Sequence, residues 1–247
     1  YYSFQGGVLN NCIIFFNSAL NQPDGSSGSL DHCCIPGVAS TAGNISLDPQ
    51  LASESHLSAN SPCRGAGSTN NTTGTDIDGE AWLSPPSIGC DEYNVGAVTG
   101  GLSVAFTTGF TTVATDCAVP FAAQITGRLS ASVWDFGDGT IVSNQPWTSH
   151  AWSAPGNYSV VLTAYNESWP AGVSATSMVQ VVTPPVHYVA ADSAQPVAPY
   201  TSWADAAANI QDAVDAATVP GALILVTNGV YASGGQVVHG SMMNRVA

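Results

Sequence analysis

Near the middle of the chain, Trp134-Asp135-Phe136-Gly137-Asp138-Gly139-Thr140 places two aspartates and two glycines beside aromatic anchors. Glycine supplies the positive φ that a tight turn needs, and the aromatics fasten the strands on either side, so this stretch predicts a hairpin. Beyond it, the run from Ser159 to Asn166 alternates with the period of two that marks a strand with one face in a core. Together they constrain the middle of the chain to a two-layer β-sandwich. Asp135 and Asp138 have two readings, facing a calcium ion or closing the turn, and backbone geometry alone accounts for them.

The motifs also follow a particular order: the W-D-F-G-D-G turn, then His150-Ala151-Trp152, then Pro155-Gly156-Asn157-Tyr158, then the strand ending Leu162-Thr163-Ala164-Tyr165-Asn166. That order resembles the PKD domain, an immunoglobulin-like module of extracellular proteins, from about Gly100 to Thr183. The resemblance implies a sandwich that acts as a spacer. It also implies that Trp152 packs in the core and that His150 is a core or edge residue rather than a ligand.

The flanks hold enough chain for further compact units, since 247 residues suffice for two or three cores. Seventeen acids stand against three arginines (Arg64, Arg128, Arg245) and no lysine, a net charge of −14. This balance argues against nucleic acid and anionic membrane surfaces as partners, because both are bound through Lys and Arg. With 45% hydrophobic residues and clear strand alternation, the chain is folded and mainly all-β rather than disordered. No apolar run is long enough to insert in a membrane. The chain opens at Tyr1 without Met, as a processed product or a piece of a longer protein would. Six cysteines without a C-x-x-C pair fit an oxidising compartment better than a zinc site. Sequons at Asn44, Asn70, Asn71, Asn157 and Asn166 would accept glycans in a host that makes them, or arise by chance in an Asn/Ser/Thr-rich chain.

In residues 1–99, Leu9-Asn10-Asn11-Cys12 repeats as Leu30-Asp31-His32-Cys33 after a shift of 21 residues. A period near twenty, one short strand set per period, is the mark of a solenoid. The pattern predicts a corner near Asn11, where Asn tolerates the left-handed conformation, with Cys12, Ile14 and Phe16 turned inward. Cys12 would stack on Cys33 at about 4.8 Å, compatible with a disulfide or with plain core packing. Then come Asn44-Ile45-Ser46-Leu47-Asp48-Pro49, Ser61-Pro62-Cys63-Arg64-Gly65-Ala66-Gly67, Asp76-Ile77-Asp78-Gly79-Glu80 and Ile88-Gly89-Cys90-Asp91-Glu92-Tyr93. In this order they resemble the C-terminal end of a right-handed parallel β-helix of large secreted bacterial proteins. That resemblance implies a cap in which Cys63 and Cys90 are the first disulfide candidates. Asp76, Asp78 and Glu80 offer oxygens to calcium, or form a solvated turn that closes the cap; six or more ligands would be needed for a full calcium loop.

Residues 184–247 begin a new unit after Pro184-Pro185. Ser202 and Asp205 read as a capping box, with Trp203, Ala207, Ile210, Val214 and Ala217 behind them at helical spacing, which predicts one amphipathic helix of about four turns. Pro220-Gly221 stops it, Ala222 to Val226 is a buried strand, and Asn228-Gly229 turns the chain. The run from Trp203 to Tyr231 resembles the opening of a second parallel β-helix, plugged by its helix.

The end of one β-helix followed by the start of another implies two open coil ends, at the junction candidates Tyr1, Tyr2, Phe4, Val246 and Ala247. Open ends invite pairing with another chain, and a head-to-tail contact repeats into a filament. The expected function is an extracellular structural subunit, a homopolymer with itself as partner, or the same architecture within one longer tandem polypeptide. Catalysis is not expected. Lyases of β-helix architecture need Lys or Arg against a uronate and glycosidases need paired carboxylates, and neither set is gathered in this sequence. A carbohydrate-binding adhesin, or a non-catalytic part of a polysaccharide-degrading enzyme, is the alternative, with Trp147 and Trp169, read as loop residues, offering aromatic faces to glycans. No cofactor is expected, calcium excepted.

Overall fold

A computed structural model of the chain describes residues 7–16, 29–37, 40–93, 96, 98–239 and 242–244. The junction candidates Tyr1, Tyr2, Phe4, Val246 and Ala247 lie outside these, as does Arg245. In chain order the strands are β1 (Val8–Asn10), β2 (Ser29–Asp31), β3 (Ser103–Thr108), β4 (Thr112–Ala114), β5 (Val119–Thr126), β6 (Ala131–Asp135), β7 (Ile141–Ser143) and β8 (Trp147–His150). They continue with β9 (Gly156–Asn166), β10 (Trp169–Val182), β11 (Val186–Val189), the helix α1 (Ile210–Ala216), β12 (Leu223–Val226), β13 (Gln236–His239) and β14 (Met242–Asn244). Two compact units result. One takes Tyr1–Thr107, Phe121–Thr148 and Val160–Ser177; the other takes Thr108–Pro120, Ser149–Ser159 and Met178–Ala247.

In the first unit, β1 and β2 run parallel with Leu9 opposite Leu30 and Asn10 opposite Asp31, the register of the 21-residue repeat. Asn11 and His32 both stand at φ 51, so each copy of the repeat turns a left-handed corner at the same place. The chain beyond the corner stacks through parallel bridges, Ile13 to Cys34 and Cys34 to Ile45. Phe16 packs inward as expected, but Ile13 and Phe15 take the inward places expected of Cys12 and Ile14. Ile13, Phe15 and Phe16 pack on a core of Cys34, Leu51, Leu57, Cys63 and Ile88, because the left-handed corner resets the alternation. Parallel pairing is thus present as short two-stranded rungs and bridges, while the larger sheets are antiparallel or mixed.

Those larger sheets form the sandwich, with strand orders β4-β10-β9-β6-β7 and β3-β5-β8. Strand β9 buries Val160, Leu162 and Ala164 on alternate positions, as the period of two requires. In the first unit Trp134 and Phe136 are wholly buried and stacked at 6.1 Å, with Phe106 5.0 Å and Phe121 5.7 Å from the Trp134 ring. The hairpin turn is closed by its own aspartates: Gly137 N donates to Asp135 Oδ1 at 2.8 Å and Thr140 N to Asp138 Oδ1 at 2.9 Å. Gly137 and Gly139 take φ 76 and 93, values that an L side chain rarely adopts.

The second unit holds Trp152, buried and stacked on Tyr158, with His150 edge-on at 4.7 Å. Its strands β11 and β12 pair in parallel, and Val189 bridges to Ala207, also in parallel. That bridge shortens the helix. Ala207 N donates to Tyr188 O and Ala190 N to Ala207 O, both at 2.9 Å, so Ala207 is held in a parallel bridge rather than in a helical turn. The helix spans seven residues instead of about four turns, and its cap is Asn209, whose side chain accepts from Asp212 N; Ser202 and Asp205 close a separate turn. Strand β12 is less buried than expected, with Leu223 49%, Leu225 43% and Val226 42% exposed. Among the described residues no helix is long and apolar enough to cross a membrane.

Candidate functional site

The acidic turn at residues 76–80 grows out of its own backbone. Asp76, 8% exposed, accepts from Asp78 N at 3.0 Å, Glu80 N at 2.7 Å and Glu92 N at 3.0 Å, so its carboxylate holds the turn closed and ties it to the backbone at Glu92. This aims Asp78 and Glu80 at one cation. Arg128 Nε lies 3.2 Å from Asp78 Oδ2, and Arg128 Nη2 donates to Glu80 Oε1. Of the three acids read as calcium ligands or solvated turn, one is bound to backbone and two to an arginine about fifty residues further on.

Sequence reasoning missed two partners of this cluster, His56 and Asp91, which the fold brings beside Asp78. One ligand atom from each of the three lies within 4.8 Å of the others. His56 Nδ1 meets Ser53 Oγ at 2.8 Å and Ser55 Oγ at 3.1 Å, while Nε2 stands 3.3 Å from Asp78 Oδ2 outside hydrogen-bonding geometry. Asp91 accepts from Leu57 N at 2.8 Å. Burial pushes its carboxyl up to about 6; the bond from Leu57 and the nearby His56 hold it down, and Asp76 and Asp78 push it further up. Glu92, 2% exposed, accepts from Ser87 N and Ser87 Oγ at 2.8 and 2.6 Å. These acids organise the chain around them. The sequence signal was the spacing of Asp91 and Glu92 after Cys90, but nothing in it could place His56.

The cysteines fall in three environments. Cys12 Sγ points to Asn10 O at 3.1 Å, and Cys33 Sγ to Leu9 O at 3.3 Å, each in contact with backbone carbonyls. Cys90, exposed, donates to Ser55 O at 3.5 Å. Cys34 and Cys63, fully buried as Cys33 is, lie together in one core cluster, where Cys34 Sγ donates to Leu47 O at 3.3 Å.

A groove of about 430 Å³ opens in the first unit between Phe15, Phe16, Leu51, Leu57, Glu54 and Trp147. Trp147 is 38% exposed, tilted against Phe16 at 5.6 Å. Trp169 is 46% exposed. Both were expected in loops; each begins a strand, β8 and β10. Two arginines are structural: Arg128 as above, and Arg64, which lies over the Tyr93 ring at 4.0 Å and donates to Ala59 O.

The sequons divide. Asn70, Asn71 and Asn157 are exposed. Asn44 is 5% exposed, its amide spanning Leu30 O at 3.1 Å and Cys33 N at 2.8 Å. Asn166 is 3% exposed and donates to Gly100 O and Arg128 O at 3.2 and 2.8 Å. A glycan on either nitrogen would break these bonds, so the fold withdraws both from the expected glycosylation set.

With this geometry in place the chain can be compared with known proteins. Residues 102–181 match the family model of the PKD domain. That stretch is a PKD domain. Among solved structures, the chain is similar to a protein described in work on promiscuous carbohydrate-binding modules of the β-sandwich superfamily, at 24% identity and a TM-score of 0.32, over 39% of this chain and 39% of that one. It is similar to the PKD1 domain of Vibrio anguillarum Epp at 21% identity and a TM-score of 0.29, over 34% of this chain and 98% of that one. The PKD domain of the human receptor SorCS2 matches at 22% identity and a TM-score of 0.29, over 48% of this chain and 95% of that one. No curated protein matches the sequence. The PKD assignment rests on the family model together with the W-D-F-G-D-G turn and its following motifs.

Proposed function

We propose that this chain is a structural part of an extracellular assembly, in which parallel coils on either side of the PKD domain in sequence continue into further coils of the same kind. One observation supports this above others. The parallel pairs β1–β2 and β11–β12 each have only two strands, so β1 and β12 keep one edge unpaired among the described residues. An unpaired strand is a template for another. The apolar side chains there are uncovered too, with Val8 at 59% and Leu223, Leu225 and Val226 above 40% exposure. Chain continuing along those edges would pair the strands and cover these side chains, as successive coils of a parallel β-helix do. The continuation comes from a second copy packed head to tail or from the same polypeptide. Electron micrographs of native material test the reading: continuous fibres are expected, and isolated compact particles with full-length chains would sink it. Mass spectrometry separates the two versions, since a single chain much heavier than 25.2 kDa requires the tandem form.

A second reading, a glycan-binding adhesin, is supported by the groove floored by Phe15 and Phe16 beside the half-exposed Trp147. Glycan-array binding that is lost in Trp147→Ala, with the fold kept by circular dichroism, would favour it; no binding to any glycan would remove it.

A further inference from the structure

The core of the first unit contains a pair of thiols that neither reading uses. Cys34 and Cys63 are both 0% exposed and share one apolar cluster with Leu51, Leu57 and Ile88, closed by Ile13 and Ile45. Their side chains lie beside one another in that cluster. Cys34, like Cys12, Cys33 and Cys90, also has a backbone oxygen in reach of its sulfur: Leu47 O at 3.3 Å, as against Asn10 O, Leu9 O and Ser55 O. Both backbones that carry the pair are fixed independently of it. Cys34 N donates to Cys12 O at 2.8 Å, and Cys34 bridges to Ile13 on one side and Ile45 on the other. Cys63 N donates to Ser61 Oγ at 3.2 Å, and Cys63 O accepts from Ile88 N at 2.8 Å. The two segments are therefore held side by side before any covalent bond is made, the condition under which a crosslink adds little strain.

We propose that Cys34 and Cys63 form a disulfide in the folded protein, a staple between the parallel rungs and the segment leading to the acidic turn. The bond excludes the pairing of Cys63 with Cys90 that the β-helix resemblance implied. Its chemistry is thiol–disulfide exchange with a small or protein disulfide, RSSR. One of the two cysteines, as its thiolate, attacks RSSR, forms a mixed disulfide and expels one RS⁻. The other then gives up its proton and attacks the sulfur of the first, forming the protein disulfide and expelling the second RS⁻. Two electrons pass from the cysteine pair to RSSR, which leaves as two RSH after taking the two protons. Since both sulfurs are closed to solvent in the finished fold, the exchange takes place before the cluster closes.

The experiment does not depend on the assembly reading, because the oxidant is supplied. The chain with Cys33→Ser, which removes the neighbouring sulfur from the same peptide, is refolded from denaturant in reduced and oxidised glutathione. It is then quenched in acid, alkylated in denaturant and digested with pepsin for mass spectrometry. The expected result is a peptide pair joined through Cys34 and Cys63, with neither residue alkylated, and a melting temperature about 10 °C above that of the same protein reduced with dithiothreitol. Alkylation of both thiols, or linkage of either to another cysteine, would overturn the proposal. The same map on unmutated protein, with fragmentation between residues 33 and 34, gives the answer if the variant does not refold.

Discussion

Arg128 Nε stands 3.2 Å from Asp78 Oδ2, fastening the acidic turn of the N-terminal segment to the connection between β5 and β6 in the same compact unit. The guanidinium also reaches Glu80, and Asn166 Nδ2 holds the backbone of the same connection by donating to Arg128 O at 2.8 Å. The turn read as a calcium or solvent site is thus an anchoring point between two parts of one core.

Arg128→Met tests that anchor. The side chain is 32% exposed, so solvent screens part of the attraction, but the variant leaves Asp78 and Glu80 without their shared cation. A loss of about 1–2 kcal/mol in urea denaturation is expected. An unchanged midpoint would show that the pair contributes nothing to stability. Addition of calcium to the variant is a useful second arm, since freed carboxylates would then gain from the ion where the parent does not.

Asp91 predicts a pH dependence with a definite sign. Its carboxyl is raised to about 6 from an ordinary 3.8, so the native state holds the proton more tightly than the unfolded chain. Stability from this group is full below about pH 4 and is lost as pH rises through about 6, because the buried carboxyl must then ionise. His56, Asp76 and Asp78 face it, and Leu57 N donates to it. Asn keeps an acceptor for Leu57 N and has no proton to lose. Between pH 4 and pH 7, Asp91→Asn should therefore gain on the parent by on the order of 2 kcal/mol. Parallel pH profiles for the two proteins would rule this out.

What the sequence made legible was local or periodic. The turn at 134–140, the alternation of β9 and the 21-residue register of β1 on β2 all follow from spacing, because a backbone conformation repeats with its residues. The failures have a common physical origin in contacts from distant parts of the chain. Ser202 looked like a helix cap, but the bridge from Val189 to Ala207 claims the backbone before Asn209 for a parallel pair. Ile14 looked inward until the left-handed corner at Asn11 reversed the alternation in favour of Ile13. His56 and Arg128 meet Asp78 only in three dimensions, and the core that Cys34 and Cys63 share is equally invisible to spacing.

Glycosylation gives a test of burial that needs no stability measurement. Expressed through a host that modifies sequons, the chain should carry glycans only among Asn70, Asn71 and Asn157, whose side chains are exposed. Asn44 and Asn166 use their amides in the core and should stay unmodified. Glycopeptide mapping that finds occupancy at Asn44 or Asn166 in folded protein would contradict the placement of these segments.

The sandwich core sets a larger expected effect. Trp134 is fully buried among Phe106, Phe121 and Phe136, and its indole N–H donates to Gln145 O at 2.9 Å. Trp134→Ala empties that space and orphans a carbonyl, a cost of about 3–5 kcal/mol. Near-native stability in denaturant would mean that the ring is not the centre of the core.

The helix cap can be assigned by two substitutions at one position. Asn209 Oδ1 accepts from Asp212 N at 2.9 Å, satisfying one of the amide donors that the first turn of α1 leaves open. Asn209→Ala removes that acceptor and should cost about 1 kcal/mol, whereas Asn209→Gly should cost only a few tenths, since glycine leaves the helix end open to water. The contrast matters because α1 spans only Ile210–Ala216 and takes its stability from packing Ala213 against Val189 and Ala207. Equal losses for Ala and Gly would point to the Nδ2 bond with Asp212 Oδ2, made by the same side chain, as the larger contribution. No loss from either would return the helix start to Ser202 and with it the longer helix that the sequence spacing predicts.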